Sequence, residues 1–360
     1  MKIGPLIVGL ISFFLLPDAF AQSPQEISDG PYIFYEEDEL VARWVEKGKL
    51  KEVLLDGEQE LLVPSAVSPS FREKYLRTDA AFAPERQISF EGVQRVLAVS
   101  DIHGQYELLL ELLETHGVVD EASNWSFGQG HLVILGDIFD RGDGVTELLW
   151  LVHKLEQQAE QAGGRVHYLL GNHEVMALQG DLRYVNRKYR YTMAAMKMSY
   201  EKLFGEDTYL GRWIRSKPAA ISINQVAYVH AGISEEVLRQ GLSFQDMNEA
   251  FQQRILREDE ATILADPVLR LLYTEEGPMW YRGYFEKDFK KRQAKHILRQ
   301  IGMKRMVIGH TSFEEILSLF KGRIYCIDSS IKLGEDGEVL LVEGRKFYTC
   351  NLAGEKRRLR

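Results

Sequence analysis

Between residues 94 and 174 the chain repeats one pattern. An apolar run short enough for a buried strand ends in a loop crowded with acids, histidines or asparagine, and helix-compatible sequence follows. The runs are Gln94–Val99, His131–Leu135 and Arg165–Leu170. Their loops read Ser100-Asp-Ile-His-Gly104, Gly136-Asp-Ile-Phe-Asp-Arg-Gly142 and Gly171-Asn-His-Glu174. Leu108, Leu109, Leu112 and Leu113 fall at helical spacing after the first loop, and Leu148–Ala162, closed by Gly163-Gly164, reads as the second helix. Strand, helix, strand, helix, strand is the βαβαβ signature of an α/β fold with a mostly parallel sheet. Such sheets place their chemistry beyond the carboxyl ends of the strands, and all three polar loops fall there. Two later apolar runs end the same way: Ile221–Val229 leads into His230-Ala-Gly232, and Arg305–Ile308 into Gly309-His-Thr311.

The residue types at these five strand ends suit metal and phosphate. Asp101, His103, Asp137, Asn172, His230 and His310 offer carboxylate, imidazole and neutral carbonyl donors, the mixture that first-row divalent ions accept. Asp137 has two carboxylate oxygens and can join two ions. A two-metal site roughly 3.5–4 Å across can hold a water and lower its pKa toward about 7, giving hydroxide for in-line attack on phosphorus. His173 and Asp140 are left over. A histidine beside a carboxylate is a natural proton donor to a leaving oxygen, because the carboxylate fixes the tautomer and raises the imidazole pKa. Arg141 can fork two phosphate oxygens, and Arg282, in the loop Gly277-Pro-Met-Trp-Tyr-Arg-Gly283, is a second candidate for that role. Each residue also has a bland reading: Asp140 as a turn cap, Arg141 or Arg282 as the partner of a nearby acid. His116, His131, His153, His167 and His296 follow no such motif and read as structural. A phosphate-binding module without turnover is the reading from another class. It predicts a damaged ligand or acid, yet the whole set is present.

The chain has 360 residues, 45% hydrophobic and 27% charged, an ordinary globular composition. Its net charge of −9 carries no general nucleic-acid footprint, so no nucleic-acid partner is expected and any anion site must be local. Lys2, the apolar run Ile3–Leu16, Pro17 and then Ala19-Phe-Ala21 form a secretory signal-peptide pattern. That run is shorter than the roughly 20 residues of a spanning helix, and no later segment reaches that length. Residues 1–21 are therefore expected to be cleaved, leaving an exported, periplasmic or secreted protein without a membrane span; an uncleaved anchor is the alternative. Residues 22–87 read as an N-terminal accessory extension and linker. Its small strands are Tyr32–Tyr35, Leu40–Val45, Leu50–Leu55 and Gln59–Val63, with Asp56-Gly57 as a hairpin dipeptide, and Pro64–Pro84 is a connecting loop. Residues 88–352 carry the chemistry, with a helical cap over 175–220. The aromatic and basic groups there, Arg183 to Tyr191, form either a solvated helical face or a wall of the substrate entrance. Gly322–Leu352 reads as antiparallel strands and 353–360 as a frayed basic tail. Cys326 and Cys350 lack metal-type spacing. An oxidising compartment permits a disulfide between them; two buried thiols in one sheet are the alternative.

Taken together, Asp101-Ile-His103, Gly136–Gly142, Gly171–Glu174, His230–Gly232 and Gly309–Thr311 resemble the motif set of the PPP phosphoprotein phosphatases, within the calcineurin-like metallophosphoesterases. The resemblance covers roughly residues 92–335. Asp140-Arg-Gly-Asp143, Gly171-Asn-His-Glu-Val-Met176 and Gly180-Asp-Leu-Arg-Tyr-Val185 are similar to the Shewanella-like phosphatase branch. This resemblance implies a central β-sandwich flanked by helices. It implies hydrolysis of phosphotyrosine or phosphoserine/threonine on a protein or peptide, and two metal ions, with Mn, Fe or Zn as candidates. Asp101, His103 and Asp137 would hold one ion, and Asp137, Asn172, His230 and His310 the other. His173 with Asp140 would donate the proton, and Arg141 would clamp phosphate. Two departures stand out. Ser100 occupies a position where many members have glycine, but it is not a ligand. Cys326-Ile-Asp-Ser-Ser330 replaces a Ser-Ala-Pro-Asn-Tyr-type loop of the eukaryotic members, so their substrate analogies do not transfer. A small-molecule or nucleotide phosphoesterase of the same superfamily is the alternative, favoured by a deep walled pocket over an open cleft.

Overall fold

A computed structural model describes residues 26–37, 39–55, 63–76 and 82–359. The expected signal peptide, the Asp56-Gly57 hairpin and the strand from Gln59 fall outside them, save Val63. The strands are β1 (Asp29–Glu36), β2 (Glu39–Glu46), β3 (Lys49–Leu55), β4 (Ser89–Phe90), β5 (Arg95–Val99), β6 (His131–Ile134), β7 (Arg165–Tyr168), β8 (Ala220–Ile223), β9 (Val226–Val229), β10 (Arg305–Ile308), β11 (Leu317–Leu319), β12 (Ile324–Cys326), β13 (Glu338–Glu343), β14 (Lys346–Asn351) and β15 (Lys356–Arg358). Two six-stranded sheets, ordered β15-β14-β13-β5-β6-β7 and β11-β12-β10-β9-β8-β4, form the centre.

The parallel expectation holds for β5, β6 and β7. Both faces of these strands are covered, so they read as continuous apolar runs. Val96, Ala98, Val133, Leu135 and Leu169 point into the sandwich, against Ile221, Tyr228, Val307, Tyr325 and Ile327 of the other sheet. Their alternates Leu97, Val99, Leu132 and Ile134 join a second core with the helices, as the period-two alternation of a strand requires. Helices α1 (Tyr106–Thr115) and α2 (Val145–Gln161) supply Leu109, Leu112, Leu148, Leu151 and Leu155 to that core. The expectation of a mostly parallel sheet is corrected for the rest. Strands β13, β14 and β15 extend the first sheet in antiparallel fashion from β5, and the second sheet is mixed.

Three local expectations also change. Ile221–Val229 is a hairpin rather than one strand. Asn224 and Gln225 take left-handed φ of 50° and 62°, as a two-residue primed turn demands, and both arms are buried, so the apolar run conceals the turn. Segment 322–352 pairs antiparallel in β13–β14 and between β12 and β11, but β12 also runs parallel to β10. The tail is not frayed over Lys356–Arg358, which pairs with β14. The two cysteines are free and buried, and they lie in different sheets, Cys326 in β12 and Cys350 in β14.

Four further helices follow the third polar loop: α3 (Asn172–Leu178), α4 (Arg187–Met196), α5 (Tyr200–Leu203) and α6 (Tyr209–Arg215). The N-terminal strands form a three-stranded antiparallel sheet. It is tied to the helices by buried Tyr32 and Phe34, by the indole N–H of Trp150 in α2 donating to the Pro31 carbonyl at 2.9 Å, and by the Tyr35 N–H donating to the Asp207 carbonyl at 2.8 Å. Among the described residues no helix is long and apolar enough to cross a membrane.

Candidate metal centre and cleft

The five polar loops meet where the two sheets share an end. The Asp101 carboxylate, from the β5 loop, accepts from the His310 N–H of the β10 loop at 2.9 Å. The β6 and β7 loops touch directly: a Cβ on Gly136, whose φ is +81°, would lie 2.3 Å from the Gly171 nitrogen. Only glycine fits there. Six non-glycine residues at the site are held in the left-handed region: Asp101, His103, Asp137, Asp140, Arg141 and His310, with φ from 50° to 73°. Such conformations cost of order 1–3 kcal/mol each, and they persist here because the loops brace one another. Glu174 is a main brace. Its buried carboxylate accepts from the N–H groups of Asp137, Ile138 and Gly171 at 2.7–2.8 Å and from the Tyr168 hydroxyl at 2.9 Å.

Asp137 is the hub. Its Oδ2 lies 3.6 Å from His103 Nε2, 3.4 Å from His230 Nε2 and 3.9 Å from His173 Nε2. Two groups have all their donor atoms within 4.8 Å of one another: His103, Asp137 and His173, and Asp137, His230 and His310. His103 Nδ1 sits 2.7 Å from the Phe139 carbonyl and His230 Nδ1 2.6 Å from the Leu135 carbonyl. Each Nδ1 therefore carries its proton, which turns an Nε2 lone pair toward the Asp137 carboxylate. Asn172 Oδ1, a further acceptor, is 3.0 Å from His230 Nε2. Acceptors converging on acceptors without a cation between them fit a metal-binding set, and a backbone carbonyl on the far side of the ring is the usual orienting partner of a ligating histidine. Charges shift accordingly. Burial drives His103 down to about 3 and His310 down to about 2. Burial opposes the charged form of His230 too, but the Asp137 carboxylate outweighs it and lifts the imidazole to about 10. Asp101 lines the same cleft, but its Oδ2 is spoken for by the Ser100 hydroxyl at 2.5 Å and the His310 N–H.

His173 Nδ1 is 2.5 Å from Asp140 Oδ2, and both are buried. Burial pulls the imidazole down, yet Asp137 and then Asp140 outweigh it, so His173 sits above its ordinary value. Asp140 is therefore the partner of His173. Arg141 is exposed on the cleft, stacked on the Tyr184 ring at 5.0 Å, and it has no carboxylate partner among the described residues. Arg282, also on the cleft, donates to the His310 carbonyl at 3.1 Å and the Thr311 hydroxyl at 2.8 Å. The cleft measures about 560 Å³ and takes in Asp101, His103, Asp137, Arg141, Asn172, His173, Arg282 and His310. His230 and Asp140 lie just beneath it.

Sequence reasoning missed two neighbours as individuals: Glu174 and Asp328. Both stand inside quoted motifs, which was the available signal. Tyr184, read with its neighbours as either a solvated face or a wall of the substrate entrance, lines the cleft. Asp328 lies in the Cys326–Ser330 segment, accepts from Ser312 at 2.5 Å, and its charge adds to burial in raising Asp101. Of the five remaining histidines, His131 and His167 form a buried pair at 2.9 Å, and His153 is buried against Trp150 and Tyr209.

Two stacked mixed sheets with this donor cluster at their shared end define a metal-dependent phosphoester hydrolase. The chain belongs to the calcineurin-like phosphoesterase family, whose model matches residues 94–312. It is 28% identical over 288 residues to Shewanella-like protein phosphatase 1 of Plasmodium berghei, covering 73% of this chain and 76% of that one. An uncharacterised protein of Schizosaccharomyces pombe is 28% identical over 282 residues, covering 76% and 83%. Among solved structures, the cold-active protein-tyrosine phosphatase of a psychrophilic Shewanella species superposes with a TM-score of 0.87 at 38% identity, over 92% of this chain and 99% of that one. The family implies divalent metal ions, and the donor set just described fits them.

Proposed function

We propose that this cleft hydrolyses phosphomonoesters on proteins or peptides, with phosphotyrosine a favoured substrate. The observation that carries the reading is the metal-type donor set around Asp137 next to the buried His173–Asp140 pair, both opening on one cleft. The name of the Shewanella neighbour supports tyrosine phosphatase activity, and that of the Plasmodium relative supports a protein substrate. Exposed Arg141, Tyr184 and Arg282 at the rim favour an approaching protein segment over an enclosed small molecule or nucleotide.

Two metal ions, with Mn, Fe and Zn the candidates suited to mixed oxygen and imidazole donors, would supply Lewis acidity toward water and the phosphoryl oxygens. Asp101, His103 and Asp137 would hold one ion, and Asp137, Asn172, His230 and His310 the other. Arg141 and Arg282 orient the phosphoryl group from the open side. A water oxygen bonds to phosphorus as the bond from phosphorus to the ester oxygen breaks in line. The leaving oxygen keeps the electron pair and takes the proton that His173 holds at Nε2. Asp140 fixes the imidazole and stabilises its charge. Residues 1–21 support export to the periplasm or beyond, with the phosphatase acting there after cleavage.

The test is to assay the purified protein on phosphotyrosine, phosphoserine and phosphothreonine peptides of one sequence, with metal analysis of the same sample. Phosphopeptide turnover that falls on chelation is expected, with about two metal ions per chain. Turnover of nucleotides without turnover of any phosphopeptide would overturn the substrate assignment.

A further inference from the structure

One residue on the cleft wall has no part in the chemistry above. Tyr184 is 43% exposed and is the only aromatic among the exposed large hydrophobic side chains of the described residues. Its ring centroid lies 5.3 Å from that of His173, tilted by 55°. The Arg141 and Arg183 guanidinium carbons stand 5.0 and 5.7 Å from the same ring. Arg183 is itself fixed by Asp181, with contacts of 2.7–3.0 Å. The Tyr184 carbonyl accepts from the Arg141 N–H at 2.9 Å, so the ring is anchored to the loop that carries Asp137 and Asp140.

We propose that Tyr184 is a specificity-determining residue that selects aryl over alkyl leaving groups at this site. The inference rests on the role of His173 as proton donor. A leaving oxygen served by His173 sits within roughly 2.6–3.2 Å of its nitrogen. Whatever carries that oxygen then lies against the Tyr184 ring or the guanidinium planes beside it. A phosphotyrosine places its own ring there, where edge-to-face and cation–π contacts are favourable. A phosphoserine or phosphothreonine places one short carbon there, leaves the wall wet and draws its peptide backbone down to the rim. The discrimination therefore comes from the residue on the oxygen, not from the phosphoryl group.

Tyr184→Ala, Tyr184→Phe and the parent are compared on phosphotyrosine and phosphothreonine peptides of one sequence, with inorganic phosphate inhibition measured alongside. The alanine variant is expected to lower kcat/KM for phosphotyrosine about 10-fold more than for phosphothreonine, mainly through KM. The phenylalanine variant is expected to keep the parent's preference. An equal fall on both substrates, with weakened phosphate inhibition, would show a residue that merely positions Arg141 and would overturn the proposal. So would an unchanged ratio. A parent enzyme that hydrolyses neither peptide would instead overturn the substrate reading beneath it.

Discussion

Two buried polar clusters lie close together in this molecule, and they differ in one respect that matters. Around Asp137 a carboxylate and three imidazoles converge with no lysine or arginine paired to them among the described residues; Arg141 and Arg282 face outward into the cleft. The second cluster joins β1, α2 and α4. Asp29 and Glu147 flank the Lys188 ammonium at 3.6 and 2.5 Å, and Tyr32 and Thr192 donate to Asp29 at 2.8 and 2.7 Å. That cluster is sealed and carries its own counter-ion. It steadies the site at one remove, since Lys188 and the Tyr189 hydroxyl each donate at 2.7 Å to the Asp143 carbonyl just past the Asp137–Arg141 loop. Burying charge thus marks no site by itself. A convergence of carboxylate and imidazoles that opens on solvent and lacks a paired lysine or arginine does.

The sharpest way to break that contrast is Asp137→Asn. The amide keeps the shape and removes the charge on which the imidazoles converge. Turnover should fall on the order of 10³-fold or more, the equivalent of the several kcal/mol that metal ions supply to a phosphoryl transition state. Metal content should drop with it. A variant with full metal content and normal turnover would remove Asp137 from the centre of the site.

Lys188→Met makes the opposite claim about the second cluster. Removing one member of a buried ion group costs about 3–5 kcal/mol, because Asp29 and Glu147 lose the ammonium they flank. Thermal melting should fall, while the fraction still folded at low temperature should keep its kcat and metal content. Unchanged melting with lost turnover would show that Lys188 belongs to the reaction and that the division drawn here is wrong.

The same contrast explains what the sequence could reveal. Metal-type donors must project from the ends of packed strands, so Asp101, His103, Asp137 and Asn172 fall within a few residues of apolar runs, and the grouping was legible in order and spacing. β5, β6 and β7 were legible because burial on both faces leaves continuous apolar runs. That same burial hid the 220–229 hairpin, whose polar turn, Asn224-Gln225, interrupts the apolar run for only two residues. The side-chain rotation that engages Asp101 with Ser100 and the His310 N–H, and the inclusion of His173 Nε2 in one donor group, are set by packing. The sealed cluster was not legible at all. Residues 29, 147 and 188 come from separate elements, and only tertiary packing makes them partners.

The mildest effect expected concerns pH. Burial, with Asp29 nearby, raises Glu147 to about 7, against the pull of Lys188. Its neighbours from each element are Asp29 on β1 and Lys188 on α4, with the Asp143 carboxylate also acting on Lys188. A carboxyl whose folded pKa is raised binds its proton more tightly in the folded state. The stability it contributes is fully present below its ordinary value near 4.5 and is lost as pH rises through about 7. Because 14% of the Glu147 side chain remains exposed, the loss between pH 5 and 8 is on the order of 1–3 kcal/mol rather than a full burial cost. Glu147→Gln removes the titration and leaves Asp29 as the counter-ion of Lys188. Denaturant midpoints of the variant should flatten between pH 5 and 8, and they should exceed those of the parent at pH 8. A parent whose midpoint stays flat over that range, or a variant that keeps its slope, would place the proton elsewhere in the cluster and leave Lys188 fully paired at every pH.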